Sequence, residues 1–303
     1  MPRKMFILTL FLWLIGCRVD VSSQKTSSPA YQYIAEYTIS KDGSQVALIV
    51  PKGDYHKQVG LSDWKLVVVE TATFSVIATI EGTDFSPINN IFWGSTNDVI
   101  YYRQHDGAGS KSRLVAWHWQ TNRSTSTPFL HHNFVISNSG DLLVAWDSDN
   151  LVEVYTFPEL AKSATYTLKS WQLQGTINHV AWSVDDRRLL LLGRSATLDN
   201  SLVELNLETS GETIRLIEHQ MWEQFAWDSD RNLVAVTTGD GINFYSNLLG
   251  CYVAGDELPL IGRAPAFGGK ENKELIIIRQ TNLPSQEQII VFDLTTLDAG
   301  RCK

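Results

Sequence analysis

Few side chains in this chain of 303 residues combine a reactive type with the spacing that chemistry requires. Three are cysteines: Cys17 closes an apolar run near the start, and Cys251 and Cys302 lie 51 residues apart near the end. His131 and His132 are adjacent, but a zinc site needs further His or Cys at ligand spacing, and none follows. Asp-Ser-Asp occurs at 147–149 and again at 228–230. A calcium loop would continue to a Gly and a distal Glu at fixed distance, so turn chemistry accounts for both copies better. No glycine-rich phosphate loop and no Gly-x-Ser-x-Gly elbow is present. The expectation is therefore no catalytic group, no metal and no cofactor. What remains is a set of polar residues whose positions make sense only once the strands that carry them are identified.

Those strands come in repeats. An apolar segment ending in a bulky residue, a turn rich in Ser, Asp, Asn and Gly, and a strongly apolar segment recur six times. The copies are YTISKDGSQVALIV from Tyr37, IFWGSTNDVIYYR from Ile91, FVISNSGDLLVAW from Phe134, VAWSVDDRRLLLLG from Val180, FAWDSDRNLVAVTT from Phe225 and PAFGGKENKELIIIR from Pro265. Anchored on the first turn residue (Ser40, Gly94, Ser137, Ser183, Asp228 and Gly268), the intervals are 54, 43, 46, 45 and 40 residues. The longest contains a polar insertion, Lys52–Asp63. A third β run follows in each unit, at Trp64–Glu70, Ser112–Trp119, Leu151–Phe157, Leu202–Leu207, Gly241–Tyr245 and Gln288–Leu294. A weaker fourth follows several of them, as at Ser75–Ile80, Thr165–Leu168 and Glu212–Ile217.

Apolar runs of four to eight residues dominate, and helical periodicity is almost absent. Four strands per unit of 40–50 residues predict an all-β, six-bladed β-propeller, with seven blades, one of them degenerate, as the alternative. A blade buries both faces of its sheet only between neighbours, so the units must close into a ring. The chain has little room for a fourth strand after Val291–Leu294. Either the segment near Ala30–Tyr33 completes the last blade, or that blade has three strands.

Aligning the inner strands on their anchors exposes a polar ring. One and three residues before each anchor the side chains are apolar and bulky. Four before, they are Glu36, Asn90, Asn133, His179, Gln224 and Ala264; five before, Ala35, Asn89, His132, Asn178, Glu223 and Arg263. Inner strands surround the axis, so these positions should border one mouth of the central channel. They read in two ways: as the wet beginnings of strands, or as a funnel for a small ligand, a metal or a partner's loop.

Arg3 and Lys4 precede the apolar run Met5–Ile15, which is shorter than the roughly 20 residues that cross a bilayer as a helix and reads as a secretory signal. The run ends in Leu14-Ile15-Gly16-Cys17, which resembles the lipobox of bacterial lipoproteins. The resemblance implies cleavage before Cys17 and a diacylglyceryl thioether on its sulfur. It divides the chain into a signal peptide at 1–16, a lipidated, Ser-rich tether at 17–30 and one propeller domain at 31–303. Arg18, where Asp would favour the inner membrane, implies the outer membrane facing the periplasm. An oxidising compartment allows Cys251 and Cys302 to form a disulfide, stabilising by about 4 kcal/mol, or to stay as separate buried thiols.

The AWS-x-D and AWDSD turns resemble the WD40-like repeats of TolB-type periplasmic propellers and of prolyl-peptidase propeller domains. Eukaryotic Gly-His and Trp-Asp pairs are not in register, and no hydrolase domain follows the repeats. Glu36, Asn90 and Asn133 also resemble the metal-binding set of gluconolactonase-type lactonases, but with too few carboxylates for calcium. The net charge of −8, without a basic cluster, argues against nucleic acid. The expected function is a monomeric, membrane-anchored scaffold binding an envelope protein or peptide. A ligand-binding or lactonase-like hydrolytic propeller is the alternative.

Overall fold

The computed structural model describes residues 24–52, 64–81, 88–105, 112–131, 133–147, 151–168, 177–194, 200–218, 224–238, 241–247, 251–253, 263–268, 274–280 and 286–294. These form six four-stranded antiparallel sheets, each running outward from the axis in chain order except the last. Blade 1 comprises β2 (Glu36–Ile39), β3 (Gln45–Pro51), β4 (Trp64–Glu70) and β5 (Val76–Glu81). Blade 2 comprises β6 (Ile88–Trp93), β7 (Val99–His105), β8 (Ser112–His118) and β9 (Arg123–Pro128). In blade 3 the strands are β10 (Asn133–Ile136), β11 (Leu142–Trp146), β12 (Leu151–Thr156) and β13 (Lys162–Thr167). Blade 4 has β14 (Ile177–Trp182), β15 (Arg188–Arg194), β16 (Asn200–Asn206) and β17 (Gly211–Glu218). Blade 5 has β18 (Phe225–Asp228), β19 (Leu233–Thr238), β20 (Gly241–Ser246) and β21 (Cys251–Tyr252).

Blade 6 takes β22 (Arg263–Gly268), β23 (Glu274–Gln280) and β24 (Glu287–Asp293) from the end of the chain, and β1 (Gln24–Ser27) from its beginning. Thr26 pairs with Val291 and Ser27 with Ile290. The last blade is thus completed by the N-terminal segment: β1 pairs along β24, and the pairing reaches Tyr31, which bridges Glu287. Gln24–Ser27 falls inside 17–30, the stretch expected to be tether, so the folded body begins before residue 31. QKTS has no apolar alternation to mark it as a strand; backbone pairing to β24 supplies the order.

The burial pattern explains the composition of the strands. Second strands are buried on both faces and read as unbroken apolar runs: Leu189, Leu190, Leu191 and Leu192 are all fully buried. Alternate residues of one strand face opposite neighbours. Val46, Leu48 and Val50 pack on blade 6, while Ala47 and Ile49 pack on blade 2. Six buried clusters result, one at each interface around the ring, and the one between blades 6 and 1 is built like the others. The inner strands β2, β6, β10, β14, β18 and β22 touch in ring order and enclose the axis. Outer strands form the free edges of the sheets, and β9 (RSTSTP) is exposed throughout; its polar side chains and terminal Pro make it a poor template for pairing with another chain.

The turn between the first two strands of a blade is the most repetitive local structure. In blades 1, 3 and 4 the anchor serine hydroxyl accepts from the backbone N–H five residues on: Ser40 from Gln45, Ser137 from Leu142 and Ser183 from Arg188. The third residue after the anchor is left-handed in each, Gly43, Gly140 and Asp186. This is why Ser, Asp and Gly recur there.

Candidate functional site

The two ends of the channel differ. At the end bearing the turns just described, neighbouring blades are stitched together. Both Asp186 carboxylate oxygens accept from the blade 3 turn, from the N–H groups of Asn138 and Ser139 at 2.8 Å each. Asn138 Nδ2 also donates to the carbonyl of Ser183 at 2.8 Å. Val184 N–H donates to Ser229 Oγ of blade 5 at 2.8 Å. Hydrogen bonds from Ser44, Ser40 and the blade 2 residue Asn97 outweigh the effect of burial and hold the Asp42 carboxyl below its ordinary range.

At the opposite end the inner strands begin, and the polar ring expected from the sequence is placed there unevenly. Glu36 of β2 turns to its neighbour: Oε1 accepts from the Ile91 N–H of β6 at 3.1 Å. Asn90 lies in β6 where its register against β7 shifts between Asn89 and Ile91. Similar shifts occur in β14 between Ile177 and His179 and in β22 between Arg263 and Ala266. Counting back a fixed number from the anchor therefore does not reach the same face in every blade. Asn133 opens β10 half-buried, Asn178 is exposed, and Gln224 is half-buried with its carbonyl accepting from Thr237 N–H.

His179 sits edge-on to Phe225 of blade 5, with ring centroids 4.9 Å apart, and its Nδ1 is buried with no partner among the described residues. Burial lowers its pKa to about 4. Cys17, His132, Glu223 and Cys302 lie outside the described residues, and so do the signal segment 1–16 and most of the insertion Lys52–Asp63. Cys251 opens β21, half-buried.

Arg263 does something else. Its guanidinium grips the Glu287 carboxylate, with NH2 2.8 Å from Oε2 and 3.0 Å from Oε1, and donates to the Ile34 carbonyl at 2.6 Å. Glu287 Oε2 in turn accepts from Ile34 N–H at 2.7 Å. With Tyr37 OH, which donates to the Ala264 and Ile276 carbonyls, this fastens the chain entering blade 1 to blade 6. Burial raises the Tyr37 pKa and keeps the phenol a donor.

A second polar cluster, between blades 2 and 3, was not anticipated. His131 Nδ1 is 3.1 Å from Asp147 Oδ2, and Nε2 is 2.7 Å from Tyr155 OH and 3.1 Å from Glu153 Oε2. Tyr155 OH donates to Glu153 at 2.5 Å, and Lys162 closes on the other Glu153 oxygen. Burial would raise the Glu153 pKa, but the bonds from Lys162 and Tyr155 and the charges of Lys162 and His131 outweigh it and hold it down. The signal was a carboxylate inside the apolar strand LVEVYT; SLVELN carries another, Glu204, which is held by Arg215, Arg188 and Asn247. Among the described residues, no group of three or more His, Cys, Asp or Glu is placed to hold a metal ion.

No protein-family model matches the chain, and no curated protein does. Solved structures do. The β-propeller domain of Cps50 (Swd1) from Myceliophteria thermophila superposes with a TM-score of 0.59 at 10% identity, covering 90% of this chain and all of that one. The chain has the fold of a WD40-like β-propeller. At that identity the likeness is one of architecture.

Proposed function

We propose that this propeller is a lipid-anchored scaffold of the bacterial envelope, facing the periplasm and gripping a peptide or loop of another envelope protein at its polar mouth. The observation that carries this reading is the inequality of the two channel ends. One is occupied by turns bonded to each other; the other presents the exposed Asn178 and the half-buried Asn133 and Gln224 where the inner strands begin. The anchor rests on the lipobox-like Leu14-Ile15-Gly16-Cys17.

The same reading pairs Cys251 with Cys302. It is supported by Cys251 being disulfide-bonded, Cys302 being the cysteine that follows it in the sequence.

Photo-crosslinking residues placed at Asn178 and Gln224 in intact cells test the mouth, with Asp230 at the opposite end as control. A discrete adduct from the mouth positions alone is expected. Adducts from neither end, or equally from both, overturn the reading. Mass spectrometry of the mature N-terminus tests the anchor, which requires a diacylglyceryl-modified Cys17, and non-reducing peptide mapping tests the Cys251–Cys302 bridge.

A further inference from the structure

We propose that the ring stands on the bilayer at the rim shared by blades 6 and 1, with the lipid headgroups against Val76 and Ile77 and the polar mouth turned away from the membrane. This rests on the anchor at Cys17 proposed above. Six residues separate Cys17 from Gln24, so their α-carbons can be at most about 25 Å apart with the chain fully extended. Four strands per blade at about 4.8 Å spacing put the outer strands of opposite blades at least about 29 Å apart before the channel is counted. The anchor therefore holds the rim at β1 within about 25 Å of the membrane, a bound it does not place on the far rim.

The strand register fixes which edge of the near rim is involved. Gln24 pairs with Phe292, next to the Asp293–Glu274 pair that flanks the blade 6 turn. In blade 1, Val76 pairs with Val69, and Val46, on the strand beside Val69, faces Ile39 just before the blade 1 turn. The chain thus leaves the fold at the turn-bearing edge of blade 6, and Val76 begins the outer strand at the same edge of the adjoining blade. The described residues include five large apolar side chains that are markedly exposed, and two of them are adjacent here, Val76 at 58% and Ile77 at 43%. Apolar side chains beside an acyl anchor suit the boundary between headgroups and acyl chains.

Hydroxyl-radical footprinting of the full mature protein, acylated at Cys17 and bound to phosphatidylethanolamine–phosphatidylglycerol vesicles, tests this against the Cys17→Ser protein in solution. Oxidation of the peptide containing Val76 and Ile77 should fall several-fold on vesicles. Leu130, near the mouth, and Ile214, on the outer strand of blade 4, should keep their reactivity. Unchanged oxidation at Val76 and Ile77 on vesicle-bound protein overturns the proposal. Protection that grows with protein concentration in the absence of vesicles also overturns it, since a second copy would then cover the rim. A bare Cys17 in cells would end the anchor reading separately. A synthetic diacyl chain coupled at residue 17 imposes the same reach, and the footprint then decides the geometry.

Discussion

Arg263 and Glu287 form a two-pronged ion pair, and both also hold the backbone of Ile34, 229 and 253 residues away in sequence. The pair closes the ring as much as it joins two charges. Their side chains are only 28% and 15% exposed, so removing one partner strands the other in a poorly hydrated joint. Glu287→Ala should cost about 2–3 kcal/mol, less than the ~3–5 kcal/mol of a fully buried pair. Urea unfolding measures the cost. A double-mutant cycle with Arg263→Ala should return a strongly non-additive value.

Ser28 is buried where the N-terminal strand ends, and its hydroxyl accepts from Ile289 N–H at 2.9 Å while its own N–H donates to the Ile289 carbonyl. Ser28→Ala should cost about 1 kcal/mol by leaving that arrangement one acceptor short. Deleting residues 24–28 should cost far more, because it uncovers β24. Thermal midpoints of the two variants, with hydrogen exchange at Ile289 and Val291, separate the local effect from loss of the strand.

His179 gives the fold a pH dependence whose sign follows from burial. Its pKa of about 4 lies below the unfolded value of about 6.5, so between those values the unfolded chain binds the extra proton. Its contribution is fully present above pH 6.5 and is lost as the pH falls toward 4. His179→Gln should flatten the thermal midpoint over that interval relative to the parent. Parallel curves for the two proteins would contradict the assignment.

At Gly140 two constraints coincide. Its φ is +81°, and an added Cβ would lie 2.5 Å from Ser95 Cβ in the neighbouring blade. Gly140→Ala should therefore destabilise by about 2–3 kcal/mol, the left-handed conformation accounting for roughly 1–2 of that. Adding Ser95→Gly should recover the steric part and leave the rest, as read by denaturant midpoints.

The ring itself was legible because its physics is local and repeated. Second strands buried on both faces must be apolar, and turns needing Ser, Asp and a left-handed residue must show them; six copies of that pattern leave little freedom. Trp93, Trp182 and Trp227 mark interfaces for the same reason. The polar mouth was less legible. Register shifts in β6, β14 and β22 break the alternation on which a fixed offset depends. Glu36 is taken up by blade 2, and Arg263 by Glu287 of its own blade and the Ile34 carbonyl, a matter of tertiary geometry that their residue types do not disclose. Nor does QKTS announce a strand, because the order of β1 comes from a partner at the other end of the chain.

That late partner shapes how the protein reaches its native state. Thr26 is among the first residues of the fold to be made, yet Val291, with which it pairs, is among the last. Blades 1 to 5 draw all their strands from contiguous sequence and can assemble in succession, while the seam waits for nearly the whole polypeptide. Contacts of such long separation form slowly, so the open ring, with one flank of blade 1 and one edge of blade 6 unprotected, is the species most exposed to wrong associations during biogenesis.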